Sequence, residues 1–160
     1  MNGGKYSPNL MAKSRLGGLE LVYVNLVLLS KSKNRVEAIR AASRRKGFTC
    51  TVVLDDQQAS NAVRDMGAGI LVVDNESTLA LNRILESRSP HWPILVLSAR
   101  FDSSTWVEMF KAGASEVIGD PLDARKVDAA LDGLLTAGSK RSPVVNLWRT
   151  LARRFGLGSV

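Results

Sequence analysis

Five short apolar runs, each followed by a stretch of helical periodicity, leave this chain few folds to choose from. The runs are LVYVNLVLL (21–29), TCTVVL (49–54), GILVVD (69–74), PILVLS (93–98) and EVIG (116–119), and the helical stretches fall at about 34–46, 57–66, 77–87, 103–112 and 123–135. A strand that is apolar on successive residues has both faces buried, and a parallel sheet covered by crossover helices supplies that burial. Right-handed crossovers place helices on both sides of the sheet. The expected class is α/β, one domain built from five strand–helix units.

The first helical stretch shows how such a sheet is covered. Val36, Ile39, Ala42 and Ser43 recur at helical spacing, Glu37, Arg44 and Arg45 take the other side, and Arg40 borders the stripe. Gly47, Gly67 and Gly113 each follow a helical run, where a left-handed residue ends a helix and turns the chain back into a strand. These signals together give a flavodoxin-like (βα)5 doubly wound parallel sheet, with the predicted strands in the order 2-1-3-4-5. Sites in open sheets of this kind lie at the carboxyl ends of the strands, here residues 30–33, 55–56, 74–76, 98–100 and 119–121.

Composition then limits the chemistry. The N-terminus MNGGKYSPNLMAKSRLGG lacks the apolar core of a secretory signal, and no apolar run reaches the length of a membrane span. A cytoplasmic protein is expected. Cys50, the single cysteine, lies in FTCTVVL and reads as a small hydrophobe in a strand, while His91, the single histidine, reads as a surface residue beside Pro90 and Trp92. No disulfide, metal site or catalytic triad is expected from them. No glycine-rich phosphate loop follows the first strand, which argues against a nucleotide- or flavin-binding enzyme, so no cofactor is expected.

The net charge of +7 is uneven: residues 21–139 hold 14 basic and 14 acidic residues, residues 1–20 carry +2, and residues 140–160 carry +5 with no acid. A neutral body with a basic tail points to a polyanionic surface or acidic partner met by the tail.

The segment WPILVLSARFDSSTWVEMFKAGASEVIGDPLDARKVDAAL resembles the second half of a response-regulator receiver domain, the signalling module of bacterial two-component systems. The resemblance spans roughly residues 21–135. Its most specific part is KAGASE at 111–116 running into VIGDP at 117–121, where receivers have an Ala-Gly-Ala turn, a strand and then Lys-Pro. The resemblance implies that Asp74, at the end of the third predicted strand, takes the place of the phosphoacceptor. It also implies that Ser98 matches the hydroxyl residue that contacts phosphate, with Ala99 the small residue beside it. Read locally, Asp74 is equally a strand-end Asp capping the next helix, with Ser77 as an alternative cap.

Four departures fall on the same functional set. Where receivers end the first strand with adjacent carboxylates that hold Mg²⁺, this chain has Leu29, Ser30, Lys31 and Ser32. A hard cation loses its oxygen ligands there, and little remains to neutralise charge in phosphoryl transfer. The family's phosphate-binding Lys is replaced by Asp120, and its aromatic switch residue by Val117. The expectation is a degenerate, non-enzymatic pseudo-receiver, with Lys31 paired to Asp74 or Asp120 and fixing one state. The alternative is an atypical response regulator phosphorylated on Asp74, recruiting its cation through Asp55, Asp56 or Glu76. Helix capping accounts for Asp55 and Asp56 without chemistry.

By analogy with receivers, the contact face for a protein partner, or for a second copy in a homodimer, comprises the last two helices and the strand between them, and the test residues there are Trp106, Met109, Phe110 and Val117. Domain boundaries are expected as a flexible N-terminal arm (1–20), the receiver-like domain (21–135), a linker (136–143) and a basic tail helix (144–160). Ser142 and Pro143 suit a helix start and Gly156 a stop. Val144, Trp148, Leu151, Ala152 and Phe155 share one stripe, Arg149 and Arg153 face away, and Arg154 borders the stripe. Such a helix suits an anionic membrane interface or a partner's groove, or folds back on its own domain. Nucleic acid is disfavoured because the stripe is aliphatic and the domain neutral.

Overall fold

The computed structural model describes residues 11–16, 19–77, 92–100 and 102–137. Most of the helix expected at 77–87, together with His91 and the tail residues Trp148, Arg149, Leu151, Arg153, Arg154 and Phe155, lies outside them. The elements in order are β1 (Met11–Leu16), β2 (Leu19–Leu29), α1 (Lys33–Lys46), β3 (Thr49–Val53), α2 (Asp56–Met66), β4 (Ile70–Asp74), a 3₁₀ turn (Asn75–Ser77), β5 (Ile94–Ser98), α3 (Ser103–Lys111), β6 (Glu116–Gly119) and α4 (Ala124–Ala137).

Strands β2 to β6 form a parallel sheet in the order β3-β2-β4-β5-β6, with Leu28 opposite both Val52 and Val72, Val72 opposite Leu95, and Leu97 opposite Ile118. This is the flavodoxin-like topology expected from the sequence, 2-1-3-4-5 in the numbering of the predicted strands. Alternation along the strands splits the core in two. Val27, Leu29, Leu71, Val73 and Val96 face α2 and α3, packing on Ala59, Val63, Met109 and Phe110. Leu26, Leu28, Val72, Leu95 and Leu97 face α1 and α4, packing on Ile39, Ala42, Leu131 and Leu135. Both faces are dry, which is why the strands read as continuous apolar runs.

The helices carry their own start and stop signals. Ser32 caps α1 through Arg35 N–H, Asp55 caps α2 through Gln58 N–H and Asp102 caps α3 through Thr105 N–H. Gly47 ends α1 at φ 71°, where its N–H closes onto the Arg44 carbonyl, a conformation that costs other residues about 1 kcal/mol or more. At the far end of the sheet, Gly69 admits the Trp92 ring, since a Cβ there would stand 2.5 Å from the Asn25 carbonyl and 2.8 Å from the indole.

The N-terminus differs from expectation. Residues 11–16, read as part of an arm, form β1 antiparallel to Leu19–Val24. The parallel neighbours of β2 begin only at Asn25 and Leu26, so the first half of this long strand projects beyond them with its backbone groups in need of partners. Lys13, Ser14 and Arg15 supply them despite their polarity. The described sheet therefore includes a strand that precedes residue 21. Among the described residues no helix is long and apolar enough to cross a membrane.

Candidate functional site

The carboxyl ends of β2, β4 and β6 converge on one guanidinium. Arg35 sits on the buried stripe of α1 at 6% exposure, in line with Ile39 and Ala42. Its Nε and Nη2 donate to the two oxygens of Asp120 at 3.2 and 2.8 Å, a bidentate fork, while Nη1 donates to Glu76 Oε2 at 3.0 Å. Nη1 also stands 3.0 Å from Asp74 Oδ1, an ion contact at an angle that falls outside hydrogen-bond geometry. The three carboxylates hold the Arg35 guanidinium further above its already high pKa, Asp120 most of all, against the opposing effect of burial.

Asp74 is closed in from the other side as well. Its Oδ2 accepts from the Ser30 hydroxyl at 2.8 Å and from the Lys31 backbone N–H at 3.2 Å, and its side chain is 7% exposed. Ser30 Oγ in turn accepts from Ser32 N–H at 3.1 Å, so the loop that caps α1 also grips the carboxylate. Asp74 thus serves the β2–α1 loop.

The expected pairing through Lys31 is corrected by this geometry. With Ser32 as N-cap, Lys31 precedes the helix, its side chain is exposed, and only its backbone reaches Asp74. Arg35, one turn into the helix, is the cation that meets both Asp74 and Asp120. The sequence held a signal for it: a cation in the first turn opposes the helix dipole, and one placed on the apolar stripe needs an acidic partner.

Ser98 is fully buried and ties the β5–α3 turn. Its hydroxyl donates to the Arg100 carbonyl at 2.7 Å and accepts from Arg100 N–H and from the Asn75 amide. Asp120 N–H donates to the Ser98 carbonyl, linking the two strand ends. Asp55 is occupied in capping α2 and lies on an exposed turn.

A divalent cation does not fit this donor set. Mg²⁺ requires near-octahedral oxygen ligands at about 2.1 Å, whereas the space between the Asp74, Glu76 and Asp120 carboxylates holds a guanidinium bonded to two of them and in ion contact with the third. No cluster of three His, Cys, Asp or Glu with metal-binding geometry occurs among the described residues.

On the expected contact face, Met109, Phe110 and Val117 are buried at 4%, 6% and 2% exposure and belong to the core facing α2 and α3. They are corrected from contact residues to packing residues, because α3 lays its Met109–Phe110 edge on the sheet. Trp106 is part-exposed; its indole N–H donates to the Val117 carbonyl at 3.1 Å and its ring meets Phe110 edge-on, with centroids 5.9 Å apart. An aromatic therefore stands over β6, but it comes from α3 and is tied to the backbone.

No protein-family model matches the sequence, and no curated protein does. Solved structures do match in three dimensions. A response regulator from Thermotoga maritima is 23% identical with a TM-score of 0.63, over 70% of this chain and 97% of that one. The beryllofluoride-activated NtrC4 receiver domain dimer is 15% identical with a TM-score of 0.64, over 72% and 98%. A co-crystal of the Saccharomyces cerevisiae histidine phosphotransfer protein Ypd1 with the receiver domain of its response regulator Ssk1 contains a chain 12% identical with a TM-score of 0.64, over 76% and 94%. The chain thus has the fold of response-regulator receiver domains, with a guanidinium ringed by carboxylates at the carboxyl edge of its sheet.

Proposed function

We propose that this protein is a non-enzymatic, phosphorylation-independent receiver-type signalling module that acts through protein contacts. The observation that carries the reading is the Arg35 cluster. A phosphoacceptor needs a free carboxylate oxygen for attack and a cation to neutralise the transferring group. Asp74 Oδ2 accepts two hydrogen bonds, Oδ1 is buried against Arg35 in ion contact without a hydrogen bond, and the position beside them is taken by a side chain that cannot dissociate. A covalent part of the chain thus supplies permanently the positive charge that a metal supplies transiently, and the module is held in one state.

Partner contacts fall to the outer side of α3, β6 and α4, where Trp106 and Ala129 reach the surface. The NtrC4 dimer and the Ypd1–Ssk1 complex are precedents for protein contacts by domains of this fold. The basic segment 144–160 adds an attachment to an anionic membrane surface or to a partner, worth on the order of 1 kcal/mol per basic residue near acidic lipid.

Incubation of the full chain with a small-molecule phosphodonor and excess Mg²⁺, followed by intact mass, tests the central part. No mass addition is expected. One phosphate added in wild type and lost in Asp74→Asn would establish the alternative, a phosphorylatable regulator.

A further inference from the structure

Beside the ion cluster a groove of about 480 Å³ opens between α3, β6 and α4, lined by Trp106, Val117, Ile118, Ala129 and Ala130, with Glu116 at one end of β6 and Asp120 at the other. Its floor is the outer edge of β6, which pairs with β5 alone among the described strands. An open edge ordinarily invites another strand. Here three of the outward groups are already bonded: Val117 N–H donates to Glu116 Oε1 at 3.0 Å, the Val117 carbonyl accepts from Trp106, and the Gly119 carbonyl accepts from Lys126 Nζ at 2.9 Å. These bonds oppose strand addition, and what remains is apolar side-chain surface with the Glu116 carboxylate at one end and Lys126 towards the other, a seat for an amphipathic helix with a basic flank.

We propose that the chain's own C-terminal segment, residues 144–155, docks as a helix in this groove. The segment presents Val144, Trp148, Leu151, Ala152 and Phe155 along one stripe, and Arg149, Arg153 and Arg154 beside it with no acid. The geometry permits the return. α4 runs on from Ala130 to Ala137, seven residues or about 10 Å, and the six residues 138–143 reach up to about 20 Å when extended. Charge favours it at one end: Asp120 is already held by Arg35 and Lys126 lines the groove beside it, whereas Glu116 meets no cation among the described residues and can meet an arginine of the segment. Burial already pushes the Glu116 carboxyl above its usual range, so a nearby guanidinium relieves a charge that the fold leaves poorly solvated. The proposal rests on the reading of this face as the module's contact surface. A docked tail then regulates it, covering the groove and withholding its own apolar stripe from membrane or partner until displaced.

Hydrogen exchange on the full chain tests this. A free helix of this length is marginal in water, so amides of 144–155 exchange slowly only where the segment is held. Exchange at least tenfold slower than for an unprotected peptide is expected in wild type, unchanged on dilution, and restored to the free rate in Ala129→Arg and in Leu151→Asp. Ala129 is exposed, so its substitution leaves the core intact. Unprotected amides in wild type, or protection that survives Ala129→Arg, would overturn the proposal. So would protection that appears only at high protein concentration, which assigns the groove to a second copy, or only with anionic vesicles, which assigns the segment to lipid. The phosphodonor result does not depend on Ala129, so failure of the docking and failure of the phosphorylation-independent reading are separately visible.

Discussion

Replacement of Arg35 by Met removes the cation while keeping much of its apolar volume, and the cost depends on which carboxylate is left behind. Asp120 contributes most to holding the guanidinium charged, but its side chain is 39% exposed and that of Glu76 56%. Water resolvates both, and such pairs contribute about 0–1 kcal/mol each. Asp74 is 7% exposed, and stranding a buried charge costs about 3–5 kcal/mol. The main loss should therefore come through Asp74, even though Asp120 has the better hydrogen bonds. Arg35→Met is expected to lower unfolding free energy by about 3–5 kcal/mol in urea titrations. Asp74→Asn alone should cost about 1.5–3 kcal/mol, the range for a hydrogen bond to a charged group. The double variant should recover most of the loss, because it removes both buried charges together. The corresponding cycle with Asp120→Asn should show coupling below about 1 kcal/mol. Additive losses at Arg35 and Asp74, or stronger coupling to Asp120 than to Asp74, would refute the reasoning.

Gly69→Ala should destabilise by at least the 1–3 kcal/mol typical of overpacking, because its Cβ meets the Asn25 carbonyl at 2.5 Å and the residue sits at φ 158°; a thermal midpoint equal to wild type would contradict this. Trp106→Phe keeps the edge-on contact with Phe110 but loses the bond to the Val117 carbonyl, with an expected cost of about 1 kcal/mol in the same titrations. Burial raises the Glu116 carboxyl, so the folded chain keeps that proton to higher pH than the unfolded chain does. Stability from this group is complete below the usual carboxylate range and falls as pH rises through the raised value. Glu116→Gln should accordingly gain on wild type at neutral pH and lose that gain in acid, and an equal gain at both would place the effect elsewhere.

The parallel sheet was legible because burial on both faces leaves an unbroken apolar signature, and its helices because their stripes recur at 3.6 residues and glycines mark their ends. Among the described residues, strand and helix limits fall within a residue or two of those read from the sequence. β1 escaped for the opposite reason: Lys13, Ser14 and Arg15 pair through their backbones, and polar side chains give no apolar alternation. Gly17-Gly18 between it and β2 was the available hint, a dipeptide that suits a two-residue hairpin. At the site, the loss of the metal-holding acids was visible in residues 29–32, but the replacing charge was not. Choosing Arg35 over Lys31 depends on where the helix starts, and a shift of the N-cap by one residue redirects every side chain of the first turn. Burial of Met109 and Phe110 likewise follows from the rotation of α3 about its axis, to which an apolar composition on both sides of the helix is blind.

The central claim is that Arg35 holds the place of a cation and does not yield it. The resonance of Arg35 Nε–H, followed in ¹⁵N-labelled full-length protein through a Mg²⁺ titration, reports this directly. The account predicts a slowly exchanging signal that stays at its position while Mg²⁺ is raised to large excess. A saturable shift of that signal, accompanied by a change at the Asp74 carboxylate, would show that the metal displaces the guanidinium and would contradict it.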